Sequence, residues 1–201
     1  MKISLNSRIF QNEFTSHLAV FIAYFLFLSV LRFKIDFDLV FFWIGGLFGT
    51  YLLDADHLIY WFFAHPEKED SIKAKAELEE VKKIGGVRGM KQGINRLYQL
   101  LINSHQTHNR LTFHTITFQI ILLAVTIYVL TSSGNPFGAG LVIALNLHLL
   151  KDVWQDYLQR GESVLADWFL WQVRDWGFER YLREYLVIVT FVFLIISRLF
   201  V

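Results

Sequence analysis

Histidine and aspartate side chains form four groups in this chain, and each group lies at one end of a different hydrophobic stretch. Six of the seven histidines belong to these groups. Imidazoles and carboxylates are costly in a membrane unless they pair, bind a metal or line a polar cavity. The sequence therefore predicts one polar site, a metal site, at one membrane surface. The groups are His17; Asp54, Asp56 and His57 in LDADH; His105, His108 and His114; and His148 with Asp152 in HLLKD.

The spacing within two groups suits metal binding on a helix. Asp54 and His57 are three residues apart and share a helix face. His148 and Asp152 are four residues apart, which places them one turn apart on one face. A carboxylate and an imidazole in this relation can chelate a divalent ion, or the carboxylate can orient the imidazole that does so.

The third group leaves its ligands open. His105 and His108 are three residues apart and can share a face, whereas His108 and His114 lie on either side of the start of the third hydrophobic segment. Either His105 or His108 can therefore supply a ligand beside His114.

The composition predicts a membrane protein. The 201 residues are 54% hydrophobic and only 18% charged, an apolar fraction above what a soluble domain of this length needs. The absence of cysteine excludes disulfides, thiolate metal sites and cysteine nucleophiles. A metal would be bound by histidine, carboxylate and water. A net charge of +1 gives no indication of a nucleic-acid partner.

Hydrophobic segments predict an all-α, polytopic helical bundle with about four or five transmembrane helices. We expect a single membrane domain over residues 1–201, with a helical loop at about 64–110 and an interfacial helical segment at about 160–184. Whether the final segment crosses the membrane is left open, as is the oligomeric state. The five segments run from about Leu18 to Leu31, Leu39 to Phe63, Leu111 to Leu130, Phe137 to Leu150 and Tyr185 to Val201.

The distribution of lysine and arginine predicts the orientation. If the five segments alternate in direction, sixteen of the 19 basic residues lie on the side of the N-terminus. The positive-inside rule then places the N-terminus of a multi-pass membrane protein in the cytoplasm. All four groups of ligand-type residues fall at the cytoplasmic boundary in this topology.

Two cytoplasmic regions have helical patterns. Pro66, the acids after it, and Lys82 and Lys83 before Gly85 predict a solvated helix in the loop. A second, amphipathic helix is predicted from the spacing of Ile94, Leu97, Tyr98 and Leu101. The tryptophans and arginines between Val164 and Tyr185 indicate an interfacial helix that anchors the protein or forms a wall of a lipid-binding groove.

The ordered motifs resemble those of a family of membrane-bound metal-dependent hydrolases, inner-membrane proteins of which some are regulated by the LexA repressor. That family carries an early Thr-His or Gly-His, then Pro-Asp-x-Asp-His, His-Arg-Gly-x-Thr-His-Ser and His-x-x-x-Asp. This chain differs at Leu53, where the family has proline, and has one more residue between the histidines of the third motif. The matching blocks are Ser16-His17, Leu53 to His57, His108 to Thr115 and His148 to Asp152.

The resemblance implies an inner-membrane, metal-dependent hydrolase. The His148-x-x-x-Asp152 pair is also similar to that of all-helical zinc phospholipases C and single-strand nucleases, which by analogy suggests a phosphoester. A site at headgroup depth favours a lipid-like substrate. Zinc is the predicted ion, one or two per chain, and manganese or iron accepts the same donors. Asp56, Asp152 or an unliganded histidine can serve as general base, and Arg110 can hold a phosphate or carboxylate. The predicted ligands are His17, Asp54, His57, His108, His114, His148 and Asp152.

Two other classes of function fit the same residues. A non-catalytic metal-binding or transport protein also gathers histidine and aspartate near a membrane, although the opposite membrane half of this chain has few ionisable residues. A structural protein could use the same side chains in a buried hydrogen-bond network. Membrane lipid and a small amphiphilic substrate are the predicted partners.

Overall fold

The described part of the chain is helical, without β-strands. The computed structural model describes residues 5–86, 89, 91–93, 95–96 and 111–201, with side chains from residue 15 onward. It divides into two compact units, one of residues 1–14 and 54–111 and the other of residues 15–53 and 112–201. The organisation as a single membrane domain stays a prediction.

Eight α-helices are present among the described residues, and four helical stretches are long and apolar enough to cross a membrane. The predicted all-α fold with about four or five spans is confirmed at this level. The four stretches are Thr15–Arg32, Phe37–Ala64, Ile116–Ser133 and Pro136–Gln159. The helices are α1 Leu5–Arg32, α2 Phe37–Leu52, α3 Asp56–Ile59, α4 Glu69–Ile84, α5 Ile116–Tyr128, α6 Pro136–Gln159, α7 Glu162–Phe169 and α8 Leu182–Ser197.

The final segment forms α8, which is 16 residues long and is not one of the four stretches. One of its faces is buried through Leu186, Val189 and Phe193, whereas Ile188 and Phe191 are exposed. The helix therefore packs along one side only.

The first unit contains the predicted loop helix, α4. Glu69 and Asp70 lie in its first turn and Lys82 and Lys83 in its last, where they complement the helix dipole. Gly85 ends the helix with φ 63°, a conformation that glycine adopts without strain. The second predicted loop helix, around Ile94, Leu97, Tyr98 and Leu101, lies outside the described residues.

Glycines bring α2 and α6 of the second unit into backbone contact. A Cβ atom added at Gly45 would overlap the carbonyl oxygen of Phe137, and one added at Gly140 would overlap that of Phe42. Gly49 faces the backbone of Leu141 in the same way. The Gly45-x-x-x-Gly49 spacing is the pattern that lets membrane helices approach closely.

Polar pairs connect the other helices of this unit. The Asn146 amide on α6 donates to Thr126 Oγ1 on α5 at 2.8 Å, and both residues are buried. Trp154 Nε1 on α6 donates to Thr190 Oγ1 on α8 at 2.9 Å. Side-chain hydrogen bonds between membrane helices contribute about 0.6 kcal/mol on average, so these pairs align the helices more than they stabilise them.

The segment from Val164 to Tyr185, predicted as an interfacial helix, is helical in separate pieces, and its interfacial position stays a prediction. The chain leaves α7 after Phe169 and forms two short 3₁₀ turns, Arg174–Trp176 and Phe178–Tyr181. Gly177 separates the turns with φ 69°, a left-handed conformation that interrupts a right-handed helix. Helical spacing of its aromatic residues is therefore lost beyond Phe169.

Candidate metal centre

His148 on α6 has a contact at each ring nitrogen. Its Nδ1 lies 2.6 Å from the carbonyl oxygen of Thr50. Thr50 belongs to the last turn of α2, where carbonyl groups lack the regular helical partner. Since a carbonyl oxygen only accepts, Nδ1 must carry the proton, and Nε2 of the neutral ring then presents a lone pair.

That lone pair points at a carboxylate. Nε2 of His148 lies 3.0 Å from Oδ2 of Asp152, one helical turn further along α6. Two electron-rich atoms at this distance repel unless the ring is protonated or a cation lies beside them. A histidine that donates its other N–H to a backbone carbonyl is typical of metal ligands.

His17 on α1 reaches the other oxygen of the same carboxylate. Its Nε2 lies 3.1 Å from Asp152 Oδ1, and its ring stacks on that of His148 with a centroid distance of 4.1 Å. All three side chains are buried, and one ligand atom from each lies within 4.8 Å of the others. Two ligands of a tetrahedral zinc ion are roughly 3.3 Å apart, because each bond is about 2.0–2.1 Å. The donor set and its spacing fit a divalent ion.

His114 approaches Asp152 from a third element. It lies just before α5, where Thr115 caps the helix by accepting a hydrogen bond from the Phe118 amide at 3.2 Å. Nε2 of His114 is 3.8 Å from Asp152 Oδ2, and its ring meets that of His148 edge to face at 5.9 Å between centroids. One histidine each from the first, third and fourth groups, namely His17, His114 and His148, therefore lies around the Asp152 carboxylate.

Lys151 is a charged neighbour that sequence reasoning did not include. Its Nζ lies 2.9 Å from His17 Nε2 and 3.5 Å from Asp152 Oδ1. The ammonium group can only donate, so it takes the lone pair of His17 that a metal would use. Its position next to Asp152 in HLLKD was the one sequence feature that could have indicated a place near the site.

Asp156 has a different role from Asp152. It lies one further turn along α6, is buried, and accepts a hydrogen bond of 2.9 Å from Trp168 Nε1 on α7. Arg160 Nε lies 3.4 Å from its other oxygen. This carboxylate fixes α7 against α6, and Trp168 in turn lies 6.5 Å from the His114 ring, measured between centroids.

Asp54, Asp56 and His57 belong to the first unit. Asp54 lies on a 3₁₀ turn, Leu53–Ala55, and is partly buried, while Asp56 and His57 open α3 and are buried. The His57 ring is 6.0 Å from that of Trp61. Their predicted part in the metal centre stays a prediction. His105, His108 and Arg110 lie outside the described residues.

Comparison of the chain with known protein families, with curated proteins and with solved structures finds no match. The resemblance to the metal-dependent hydrolases therefore stays a hypothesis based on the motifs.

Proposed function

We propose that the protein is a membrane-embedded hydrolase that uses a divalent metal, with zinc as the first candidate. One observation carries the proposal. Ligand atoms of His17, His148 and Asp152 lie within 4.8 Å of one another, while the Nδ1–H group of His148 donates to the Thr50 carbonyl oxygen. Three protein ligands with a position left for water are the usual arrangement of catalytic zinc. His114 is near enough to join this set or to bind a second ion.

The proposal assigns metal-binding, orienting, general-base and substrate-binding roles to different residues. His17, His148 and Asp152 hold the ion, and Thr50 fixes the orientation of His148. A bound metal lowers the pKa of its water ligand and stabilises negative charge on a phosphoryl or carbonyl oxygen. Asp54 and His57 are proposed as further ligands, Asp56 as general base and Arg110 as the group that holds the substrate anion. A site at the cytoplasmic boundary suits a phospholipid or another amphiphilic phosphoester.

Metal analysis of the purified protein tests the metal centre. After equilibration with zinc and removal of excess, we expect one or two ions per chain, measured by mass spectrometry of the elements. His148→Ala and Asp152→Asn should each lose at least one ion. His65→Ala is the matched control, because this histidine lies near Glu67 in the other unit, at 3.6 Å. Zinc content near zero in the unaltered protein, or unchanged in both site variants, would refute the proposal.

A non-catalytic metal-binding or transport protein is the alternative. The burial of all three ligands favours it, because structural metal sites are closed whereas catalytic sites keep a position open to water. Release of phosphate or alcohol from a phosphoester by metal-loaded protein would support the hydrolase. Zinc uptake into proteoliposomes without turnover would support the alternative. Altered stability with unchanged metal content in apolar replacements of His148 and Asp152 would instead indicate a hydrogen-bond network.

A further inference from the structure

An apolar pocket of about 340 Å³ lies between α5 and the segment that precedes α8, within the second unit. Ile116, Ile120 and Ile121 form one wall, and Trp176 and Phe178 contribute to the other. Its volume is at the lower end of the range for ligand pockets, about 300–1,000 Å³. The pocket can therefore accept one slender apolar group.

One polar group of the pocket lining, the Tyr185 hydroxyl, is paired within the protein. The Tyr185 hydroxyl donates to Gln119 Oε1 at 2.8 Å, and Gln119 is buried in α5. This bond leaves no need for a polar ligand at that point. Most of the remaining lining is apolar, so the occupant is selected mainly by apolar contact.

The pocket is continuous with the face of α5 that would meet lipid. Ile120 and Ile121 are more than half exposed, and both belong to the apolar stretch Ile116–Ser133. Around such a helix the surrounding medium is the acyl chains of the bilayer. Trp176, which is 71% exposed, is a residue type that favours the headgroup region.

A cation lies beside the pocket. Arg174 is already paired with Asp167 at 3.0 Å and with Glu179 at 3.5 Å. Arg180 forms no ion pair with any residue that the structure describes; its guanidinium lies over the Tyr181 ring, 5.1 Å from the centroid. Tyr181 also lines the pocket, so this charge is placed next to any chain that enters it.

We propose that this pocket binds one acyl chain of an anionic membrane phospholipid, whose phosphate is held by Arg180. An arginine fork is well matched to a phosphate group. The proposal does not depend on the metal centre, since none of the pocket residues is a predicted metal ligand. It stands or falls separately from the hydrolase.

Lipid retention by the intact protein tests the proposal. Protein in mild detergent is mixed with phosphatidylglycerol or phosphatidylcholine of identical acyl chains, and bound lipid is counted by native mass spectrometry. We expect one phosphatidylglycerol per chain, because the choline cation of phosphatidylcholine offsets the phosphate charge that Arg180 meets. The expected preference is at least roughly tenfold, the ratio that 1.4 kcal/mol gives. Ile120→Trp should fill the pocket and abolish retention. Ile127→Trp is the control, because Ile127 is two turns away on the same helix and does not line the pocket.

Equal lipid retention by Ile120→Trp and Ile127→Trp would overturn the pocket assignment. Arg180→Gln should reduce the preference for phosphatidylglycerol to near unity, and an unchanged preference would overturn the headgroup assignment. A second measurement avoids the bulky variants. Phosphatidylglycerol with brominated chains should quench the fluorescence of Trp176, so total quenching should be smaller in Trp176→Phe than in the unaltered protein. Equal quenching in the two proteins would contradict the proposal.

Discussion

At the scale of single residues, His148 organises the candidate metal centre because each of its ring nitrogens has a defined neighbour. Nδ1 faces the Thr50 carbonyl at 2.6 Å, and Nε2 faces Asp152 at 3.0 Å. The first contact fixes the tautomer, and the second sets the position of the carboxylate that His17 also contacts. Loss of His148 should therefore disturb both neighbours, whereas loss of His17 leaves the tautomer of His148 intact.

Lys151 provides a prediction that separates a metal centre from a hydrogen-bond network. Lys151→Met removes the ammonium group 2.9 Å from His17 Nε2. We expect zinc to bind at least roughly tenfold more tightly, because like charges about 4 Å apart repel by roughly 4 kcal/mol at an effective dielectric constant near 20. Competition with a coloured chelator measures the affinity.

Lys82→Met serves as the control for Lys151→Met, since Lys82 lies on α4 and pairs with Glu79 at 2.6 Å. Its zinc affinity should equal that of the unaltered protein. If Lys151→Met lowers the unfolding temperature without tightening zinc binding, the ammonium group is part of a network and the metal proposal loses support.

The sequence predicted part of this site and missed the rest for a physical reason. Spacing of four residues placed His148 and Asp152 on one face, as observed. Thr50 was not predicted, because a backbone carbonyl carries no sequence signal and becomes available only where a helix ends. Lys151 was counted as a topological charge, since its reach to His17 depends on the packing of α1 against α6.

At the scale of elements, the pair of helices α2 and α6 depends on glycine. Gly140→Ala should destabilise the protein by about 1–3 kcal/mol or more, because the added Cβ would overlap the Phe42 carbonyl and force the helices apart. Thermal unfolding in detergent measures the loss. Gly138→Ala is the matched control on the same helix, where the nearest atom to an added Cβ is 3.4 Å away. Equal stability of the two variants would contradict the close packing.

The start of α2 gives an acid-dependent prediction. Lys34, 2.9 Å from Asp36, together with the Leu39 amide and Arg32, lowers the pKa of the Asp36 carboxyl below its ordinary value. Since the folded pKa is the lower one, this contribution to stability is present above the ordinary value, about 3.9, and is lost as the pH falls through the folded pKa. Asp36→Asn should therefore unfold with a weaker dependence on pH between about 5 and 3. An unchanged slope in thermal unfolding would oppose this role.

Element prediction succeeded where local signals were complete. The acidic residues at the beginning of α4, and the lysines and Gly85 at its end, indicated where the helix begins and ends. Between Val164 and Tyr185 the tryptophan and arginine pattern indicated an interfacial helix, but Gly177 in a left-handed conformation breaks the segment into short turns. The Gly45-x-x-x-Gly49 spacing is a sequence signal for close helix packing, but it does not identify α6 as the partner helix.

At the scale of the whole molecule, the predicted orientation can be tested directly because the chain has no cysteine. Single variants Lys34→Cys and Lys82→Cys replace lysines whose side chains are 68% and 61% exposed. We expect an impermeant thiol reagent to label Lys34→Cys in intact cells and Lys82→Cys only after lysis. The reverse pattern would invert the topology and move the site to the opposite surface.

Hydropathy predicted the long helices of this molecule, because about 20 apolar residues are needed to cross a bilayer. The predicted segments from about Leu39 to Phe63 and from about Phe137 to Leu150 fall within the observed stretches Phe37–Ala64 and Pro136–Gln159. The partition into two compact units was not, since it depends on contacts between residues far apart in the chain. The candidate metal centre also depends on contacts between residues far apart in the chain, and hydropathy does not predict such contacts.

The close approach of α2 and α6 has a consequence for proton placement. Gly49 meets Leu141 immediately before Thr50 offers its carbonyl to His148, so the spacing of the two backbones sets the length of that hydrogen bond. A side chain added at Gly49 would lengthen it and allow the imidazole to exchange its protonated nitrogen. The interhelical distance and the tautomer of His148 are therefore coupled, and a mutation at Gly49, on the facing helix and one residue before Thr50, can change the tautomer without altering a ligand.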